Sequence, residues 1–558
     1  MNFNKKLAVA VSGAVLLMAG QFALADSTTD IVDALVSKGV LTEEEGKLIT
    51  KGHTSKVEKT PTVKEKDGAF ILSSPNGKNS IQLTGRLHFD SRFNNIGTFD
   101  NGTVAYPYSS DFDTKSVADH FEVRRARIGV KGRLGGIADY EIVGNFVGNT
   151  NLDVAYLDIN KYEALGLTFG RFKVAPNLEI KTSSNNMDFV ERSYVSQNAP
   201  EKKYGAALHG EFTGLTYFGS VFQNNDSALS MKDDRFSTAG RATANFAEIM
   251  GNKDMIMHVG LNGFNSNYEI NTATSGNTSG TEEATTRGTV FSFASGGRGL
   301  ANAYRMQIAG QQPGSVGAGS SGDSLGYGVA SPNTSSVHND NLGLEGILAY
   351  NNFKLQGEYS QAYFKATDRS TSSEMKADVD TWYAEALWLV SGEKYSDFYK
   401  KGAFGSIKPK SEFNMDSGSG YGAWELGFRV DAFDVGNTSN TGSTASRFQG
   451  TTAGTTTYTA GTGKFDECSY TGSRTLPTGT ANTSAGSCDG GAKSYTAGLK
   501  WIMNPNMLIK ASYTYTDFDT AFYPVDIGSK ASGIRSTAAG LKAIDHEDLL
   551  MIRGQYMF

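Results

Sequence analysis

The chain is poor in cysteine and proline, and beyond its first 25 residues it has no long hydrophobic run. The two cysteines, Cys468 and Cys488, stand 20 positions apart in a Gly/Ser/Thr-rich stretch. Two cysteines do not build a disulfide scaffold, and with no histidine near them they make a poor metal site. They do allow one loop staple in an oxidising compartment, worth about 3 kcal/mol in the chain-entropy model. No apolar run after Ala25 approaches the roughly 20 residues that a spanning helix needs. A helical membrane anchor is therefore excluded for the mature chain. An exported soluble protein or a β-barrel remains, the barrel being the other fold that satisfies its backbone inside lipid. Charge of one sign is also scarce: the net charge is −6, spread along the chain, so nucleic acid is not indicated as a partner. Seven histidines (53, 88, 120, 209, 258, 338 and 546) are scattered, and none neighbours a convincing nucleophile. The glycine pattern Gly317–Gly322, GAGSSG, lies in a Gly/Ser loop without the strand and helix that a dinucleotide fingerprint requires. No cofactor, metal or catalytic group is implied, and the chain does not read as an enzyme.

What is present begins at the N-terminus. Lys5 and Lys6 precede the apolar run LAVAVSGAVLLMAG and a small-residue site at Ala23-Leu24-Ala25. This is the pattern of an export signal, residues 1–25, cleaved after Ala25. Residues 26–60 read as a small helical periplasmic segment. Ile31, Leu35 and Val36 share a helical face, and Thr42 with Glu45 forms a capping box opening a second helix. So small a unit buries little alone, which points to association with copies of itself or with cell-wall material. Residues 61–79 read as a polar linker.

From residue 80 the apolar period becomes two. Met507, Ile509, Ala511, Tyr513 and Tyr515 alternate with Lys510, Ser512, Thr514 and Thr516. Leu342, Leu344, Leu348 and Tyr350 lead through an Asn351-Asn352 turn to Phe353, Leu355 and Tyr359, with Lys354, Gln356 and Glu358 opposite. Trp424, Leu426, Phe428 and Val430 stand against Glu425 and Arg429. One face is apolar with aromatics near the ends, and the other is polar and often charged. A water-filled transmembrane barrel needs this pattern: apolar outside, polar inside, aromatic girdles at the interfaces. Short turns at 213–214, 351–352 and 504–506 alternate with long stretches near 270–335 and 434–493. The expected fold is all-β, a transmembrane antiparallel barrel of about 16 strands over residues 80–558.

The segment FEVRRARIGVKGRL, 121–134, carries five cations. Arg125, Arg127, Lys131 and Arg133 share one parity, while Ala126, Ile128, Val130 and Leu134 share the other. An Arg facing lipid at midplane costs about 2–4 kcal/mol, so the cations are assigned to the lumen. Arg124 breaks the parity and is placed above the membrane or on a bulge. A cation column on a wet wall attracts anions, and Arg holds phosphate oxygens through paired hydrogen bonds. The alternative is that these arginines pair with acids on neighbouring strands and only shape the wall.

The blocks VRRARIGVKGRLGGIADYEI, LDVAYLDI, GRFKVAPNLE with TSSNNMDFVERS, YAEALWLVSGEKY with GAFGSIKPKSEF, GAWELGFRVD and KWIMNPNMLIKASY stand in one order along the chain. In these the chain resembles the phosphate-selective porins O and P, from about residue 80 to the end. The final segment LLMIRGQYMF, ending in Phe558, resembles the insertion signal of outer-membrane barrels. The resemblance implies a homotrimer in the bacterial outer membrane, in contact with its lipid. Each barrel would have an inward-folded loop and a pore whose cations pass phosphate or other small anions. Carried over by block, Arg125, Arg127, Lys131 and Arg133 are wall candidates, Lys173 lies near the constriction, and Arg192 sits on a loop-like stretch beside Glu191. Glu345, Glu358, Glu385 and Glu425 depart from a purely cationic wall. They leave open a general diffusion porin, and a structural envelope-anchoring barrel is the third reading.

Overall fold

In the computed structural model, residues 32, 35–38, 40–49, 60–66, 69–99, 119–148, 150–174, 177–224, 235–271, 287–300, 303–309, 334–368, 374–441, 447–449, 474–475, 481–482, 489–522 and 543–558 are described. The export signal, Cys468 and Cys488 lie outside them. No described helix is long and apolar enough to cross a membrane.

Sixteen antiparallel strands close into a ring. They are β1 Ser80–Phe99, β2 His120–Leu134, β3 Ala138–Asn145, β4 Asn151–Tyr162, β5 Leu165–Lys173, β6 Lys202–Phe212, β7 Leu215–Gln223 and β8 Ser237–Asn245. Then follow β9 Met255–Asn271, β10 Thr334–Tyr350, β11 Phe353–Asp368, β12 Glu374–Leu389, β13 Ala423–Thr441, β14 Gly490–Asn504, β15 Met507–Phe522 and β16 Ala543–Met557. Each pairs with its neighbour in sequence, and β16 returns to β1. At the seam, Phe558 and Gly85 exchange backbone hydrogen bonds of 2.9 and 3.2 Å.

Burial is inverted relative to a soluble protein. Leu342, Leu344 and Leu348 are exposed on the outer surface, while Lys354, Glu358, Arg429, Lys510 and Arg553 are buried inside the ring. Lipid supplies the apolar environment for the first set, and the lumen supplies partners for the second. Aromatics collect near strand ends: Phe353 stacks on Trp388 at 5.7 Å, and Trp424 on Trp501 at 5.1 Å. The two-residue turn after β10 places Asn351 at φ 51°, a backbone region that Asn tolerates well.

Three findings differ from the sequence reading. Residues 61–79, expected as a linker, hold a hairpin, Thr62–Lys66 against Ala69–Ser73, which continues the sheet onto β1. Its charged residues hid the alternation, but Ser74-Pro75-Asn76-Gly77 supplies the turn, with Gly77 at φ 65°. One connection on the short-turn rim, 390–422, is long and folds inward: Tyr395 and Ala403 pack on Ile347, Leu387 and Leu178. The lumen face is also not polar throughout. On the long-loop half of β10–β15, Val337, Phe364, Met375, Val379, Phe433 and Phe518 point inward. The hairpin Arg287–Phe293 with Tyr304–Ala309 covers them with Phe291, Phe293, Tyr304 and Met306. Ahead of the barrel, the capping box forms as expected: Glu45 accepts from the Thr42 backbone N–H at 2.9 Å, and Thr42 from that of Glu45 at 3.2 Å.

Candidate functional site

The connection from β5 to β6, residues 174–201, turns into the lumen. It opens with a one-turn helix, Leu178–Lys181, capped by Asn177, whose Oδ1 accepts from Ile180 N at 2.8 Å. The Glu358 carboxylate of β11 accepts from the next two free N–H groups, Leu178 at 3.0 Å and Glu179 at 2.8 Å. Asp188 is clamped between Lys354 of β11 at 2.8 Å and Lys500 of β14 at 3.3 Å. Phe189 fills a notch made by two cross-strand glycines, Gly427 and Gly498, and the Arg429 guanidinium lies 4.8 Å from its ring centre. Tyr194 donates to or accepts from Ser494 Oγ at 2.7 Å. The loop is thus held against β11 and β13–β16, and it narrows the barrel from that side.

This placement sorts the charges. Glu345 is bound by Arg241 Nε at 3.0 Å and contacts His258 Nε2 at 2.8 Å. Glu425 pairs with Lys500 and accepts from the Tyr395 hydroxyl at 2.6 Å. Glu358 caps the loop, and Glu385 lies beside Asp188. Glu358, Glu385 and Glu425 are therefore engaged in the half of the barrel that the inward segments fill, while Glu345 pairs with Arg241 of β8.

On the other side, a cavity of about 1120 Å³ runs along β1–β8, bordered by the constriction loop above and by Pro505, Asn506 and Phe558 at the short-turn rim. Among the described residues ten cations line it: Arg86, Arg127, Lys131, Arg133, Lys161, Lys173, Lys181, Lys202, Arg241 and Lys401. Seven carboxylates share the wall: Asp139, Glu141, Asp153, Asp158, Glu163, Glu201 and Glu211. Cations are in excess.

The candidate residues divide. Arg127 lines the cavity and pairs with Asp153 at 3.1 Å. Arg133 lines it and pairs with Asp139 at 2.8 Å. Lys131 lines it with no ion pair among the described residues. Lys173 lines it while donating to the carbonyls of Ile180 and Thr182, so it also ties the loop. Arg125 faces inward but lies outside the cavity wall, 3.4 Å from His88 Nδ1. Arg192 is likewise off the cavity wall, bonded to Glu201 at 3.4 Å and to the Thr182 carbonyl at 3.1 Å. Arg124 is the extra residue of a bulge: the register passes from His88↔Arg125 to Phe89↔Val123. A bulge turns two successive side chains to one face, and Arg124 reaches Glu191 at 2.8 Å.

Sequence reasoning missed Arg86, Lys161, Lys181, Lys202, Arg241 and Lys401. Arg86 and Arg241 carried a signal, since each has the inward parity of its own strand. Lys181 and Lys401 carried none, because they lie on connections whose inward course only packing reveals. Partial desolvation inside the lumen, then the charges of Arg241 and Lys401, hold the Lys181 ammonium down at about 8. Burial acts to raise the carboxyls of Asp188 and Glu191. Lys354 and Lys500 outweigh it at the first, Arg124 and Arg553 at the second, and both stay well below the usual carboxylate range. Among the described residues no group of His, Cys, Asp and Glu could hold a metal ion.

The family model described as phosphate-selective porin O and P matches residues 101–290 and 318–521. No curated protein matches the chain. Among solved structures, OmpT of Vibrio cholerae matches at 10% identity, over 89% of this chain and 100% of that one, with a TM-score of 0.42. An anion-selective porin from Comamonas acidovorans matches at 10% identity, over 86% and 100%, with a TM-score of 0.41. OprB of Pseudomonas putida matches at 7% identity, over 86% and 94%, with a TM-score of 0.40. At such identities the likeness says nothing of what this chain carries.

Proposed function

The chain belongs to the phosphate-selective porin O and P family and is a porin of the bacterial outer membrane; from that premise we propose that it is a passive, anion-selective channel favouring phosphate or related small oxyanions. One observation carries this reading: inward packing engages Glu358, Glu385 and Glu425 away from the cavity, and among the described residues ten cations line it, Arg241 of them paired with Glu345, against seven carboxylates. Fixed positive charge in a narrow aqueous path concentrates anions and repels cations. Lys131 and Lys181, which form no ion pairs among the described residues, have their charge free for a passing ion. Arg86, Arg127 and Arg133 replace part of an anion's hydration, and several weak sites in series permit release. No covalent step is needed, so the protein works as a channel and not as an enzyme.

The test is the reversal potential in a planar bilayer under a KCl gradient, followed by titration of phosphate against the chloride current. Anion-selective reversal with block by low phosphate is the expected result. A cation-selective or unselective reversal would leave the fold standing and make the protein a general diffusion porin. The homotrimer that the family resemblance implies belongs to the same proposal, and chemical cross-linking of the purified protein checks it. The N-terminal segment exposes Val40 and Leu48, which supports its self-association.

A further inference from the structure

Seven histidines are spread along the chain, and among the described residues His209 is the one that lies on the cavity wall. The strand pattern puts it there: in β6 it shares a face with Ala207 and Glu211, while Leu208 turns to the lipid. Its partner on β5 is Gly166, where a Cβ would lie 2.3 Å from His209 Cε1. The glycine therefore makes room for the ring to lie along the wall. The ring reaches β4, where Nε2 stands 2.7 Å from Asp158 Oδ1. A carboxylate only accepts, so Nε2 donates and Nδ1 is the atom that takes up a second proton. The His209 side chain is 29% exposed, which lets lumen water deliver that proton. The other bonds to Asp158 are neutral: the Thr168 hydroxyl donates at 3.0 Å and the Asn160 amide at 3.2 Å. Among the described residues His209 is thus the one ion-pair partner of Asp158. The other charged groups on this part of the wall are Lys161 on β4, Glu163 in the turn after it, Glu211 on β6, Lys181 on the constriction loop and Lys401 on the inward connection 390–422. Lys401 is paired with Glu211 at 3.0 Å. Gly166 and Phe218, the partners of His209 on β5 and β7, carry no charge. Asp158 and Glu211 both act electrostatically on the Lys181 ammonium.

We propose that His209 is a specificity-determining residue of the channel, whose protonation sets how strongly the pore prefers anions. The inference deepens the channel reading and rests on it only in needing ions to pass this cavity. With the imidazole neutral, Asp158 stands on the wall as a net negative charge. It repels anions and offsets the field of Lys181, which has no ion pair of its own among the described residues. With the imidazolium formed, the pair is neutral, and the Lys181 field acts on the passing ion. Imidazole changes its charge between pH 5 and 8, so the wall carries one more positive charge at the acid end of that range. One charge on this wall changes the anion-to-cation permeability ratio roughly fourfold at about 0.1 M salt.

The experiment measures reversal potential in planar bilayers under a KCl gradient at pH 5, 6, 7 and 8. It compares the full-length wild type with His209→Gln, each shown to be folded by heat-modifiable gel mobility. Chloride is the probe because its own charge does not vary with pH. Lys181 and the wall carboxylates titrate in both proteins, so the quotient of the two permeability ratios isolates His209. The quotient, wild type over variant, is expected to rise roughly fourfold between pH 8 and pH 5. A quotient that stays constant across the range, whatever its value, would show that the ring only packs the wall and would overturn the proposal. Asp158→Asn is the second arm, and it serves alone if His209→Gln does not assemble. Its anion preference at pH 8 should stand roughly fourfold above wild type, and the histidine step should move to lower pH, because the imidazolium has lost its counter-charge. An Asp158→Asn profile that keeps the wild-type step in place overturns the proposal. The two readings fail separately. A cation-selective wild type whose quotient still rises on acidification sinks the anion channel and keeps the role of His209, and an anion-selective wild type with a constant quotient does the reverse.

Discussion

Lys131→Gln combined with Lys181→Gln removes two cavity charges that have no carboxylate partner among the described residues, so no buried acid is left orphaned. The size of the effect follows from the cavity. A sphere of 1120 Å³ has a radius of about 6 Å, and at that distance a monovalent ion feels each lining ammonium by about 0.7 kcal/mol in a water-like dielectric. A Debye length of about 10 Å at 0.1 M salt cuts this to about 0.4 kcal/mol. The sign is opposite for anion and cation, so each lost charge lowers the anion-to-cation permeability ratio by about 0.8 kcal/mol, or roughly fourfold. Two independent losses multiply to roughly fifteenfold. At 1 M salt the Debye length of about 3 Å leaves a combined change of only about twofold. The assay is reversal potential in KCl gradients centred on the two concentrations, at pH 6.5, where Lys181 is charged. An unmoved ratio at the lower salt would refute the reasoning. So would an equal change at both salts, because screening could not then be the cause.

Three further outcomes are expected. Leu344→Arg places a cation on the lipid face near the middle of β10, where the native side chain is 57% exposed. It should cost about 2–4 kcal/mol in the urea midpoint for refolding into vesicles, and an unshifted midpoint would contradict the assigned parity. Gly498→Val has no room, since a Cβ there would meet Phe189 Cδ1 at 2.7 Å. Phe189 should leave its notch, with a loss of about 1–3 kcal/mol from overpacking and a larger, noisier single-channel conductance. The third concerns pH. Lys181 loses its proton as pH rises through about 8, so its charge is present at pH 7 and largely gone by pH 9. The permeability ratio should fall by the single-charge factor of roughly fourfold across that window, and Lys181→Gln should flatten the profile there.

The barrel and its orientation were legible because lipid and water act on one side chain at a time. A period of two with apolar Leu342, Leu344 and Leu348 on one parity, and Lys354, Gln356 and Glu358 on the other in the next strand, has one low-energy arrangement in a bilayer, and the local sequence states it. The same logic assigned Arg127, Lys131 and Arg133 to the lumen and marked Arg124 as the residue out of step. The family was legible in blocks that include the constriction loop, TSSNNMDFVERS. What those cations do once inside was not legible. Whether Arg127 is spent on Asp153, whether Lys131 stays free, and whether Glu425 faces the ion path or Lys500 all depend on strands far apart in the chain. The course of 174–201, 287–309 and 390–422 depends on them as well. Periodicity in one strand reports which face is wet; it carries no information about which charge stands across the lumen. Only closure of the ring brings Glu191 to Arg92, Arg124 and Arg553, and Phe189 to the Gly427–Gly498 notch. Tertiary structure therefore decided which half of the barrel is filled and which half keeps an excess of positive charge, because electrostatic pairing and packing are set by distances that the linear order does not contain.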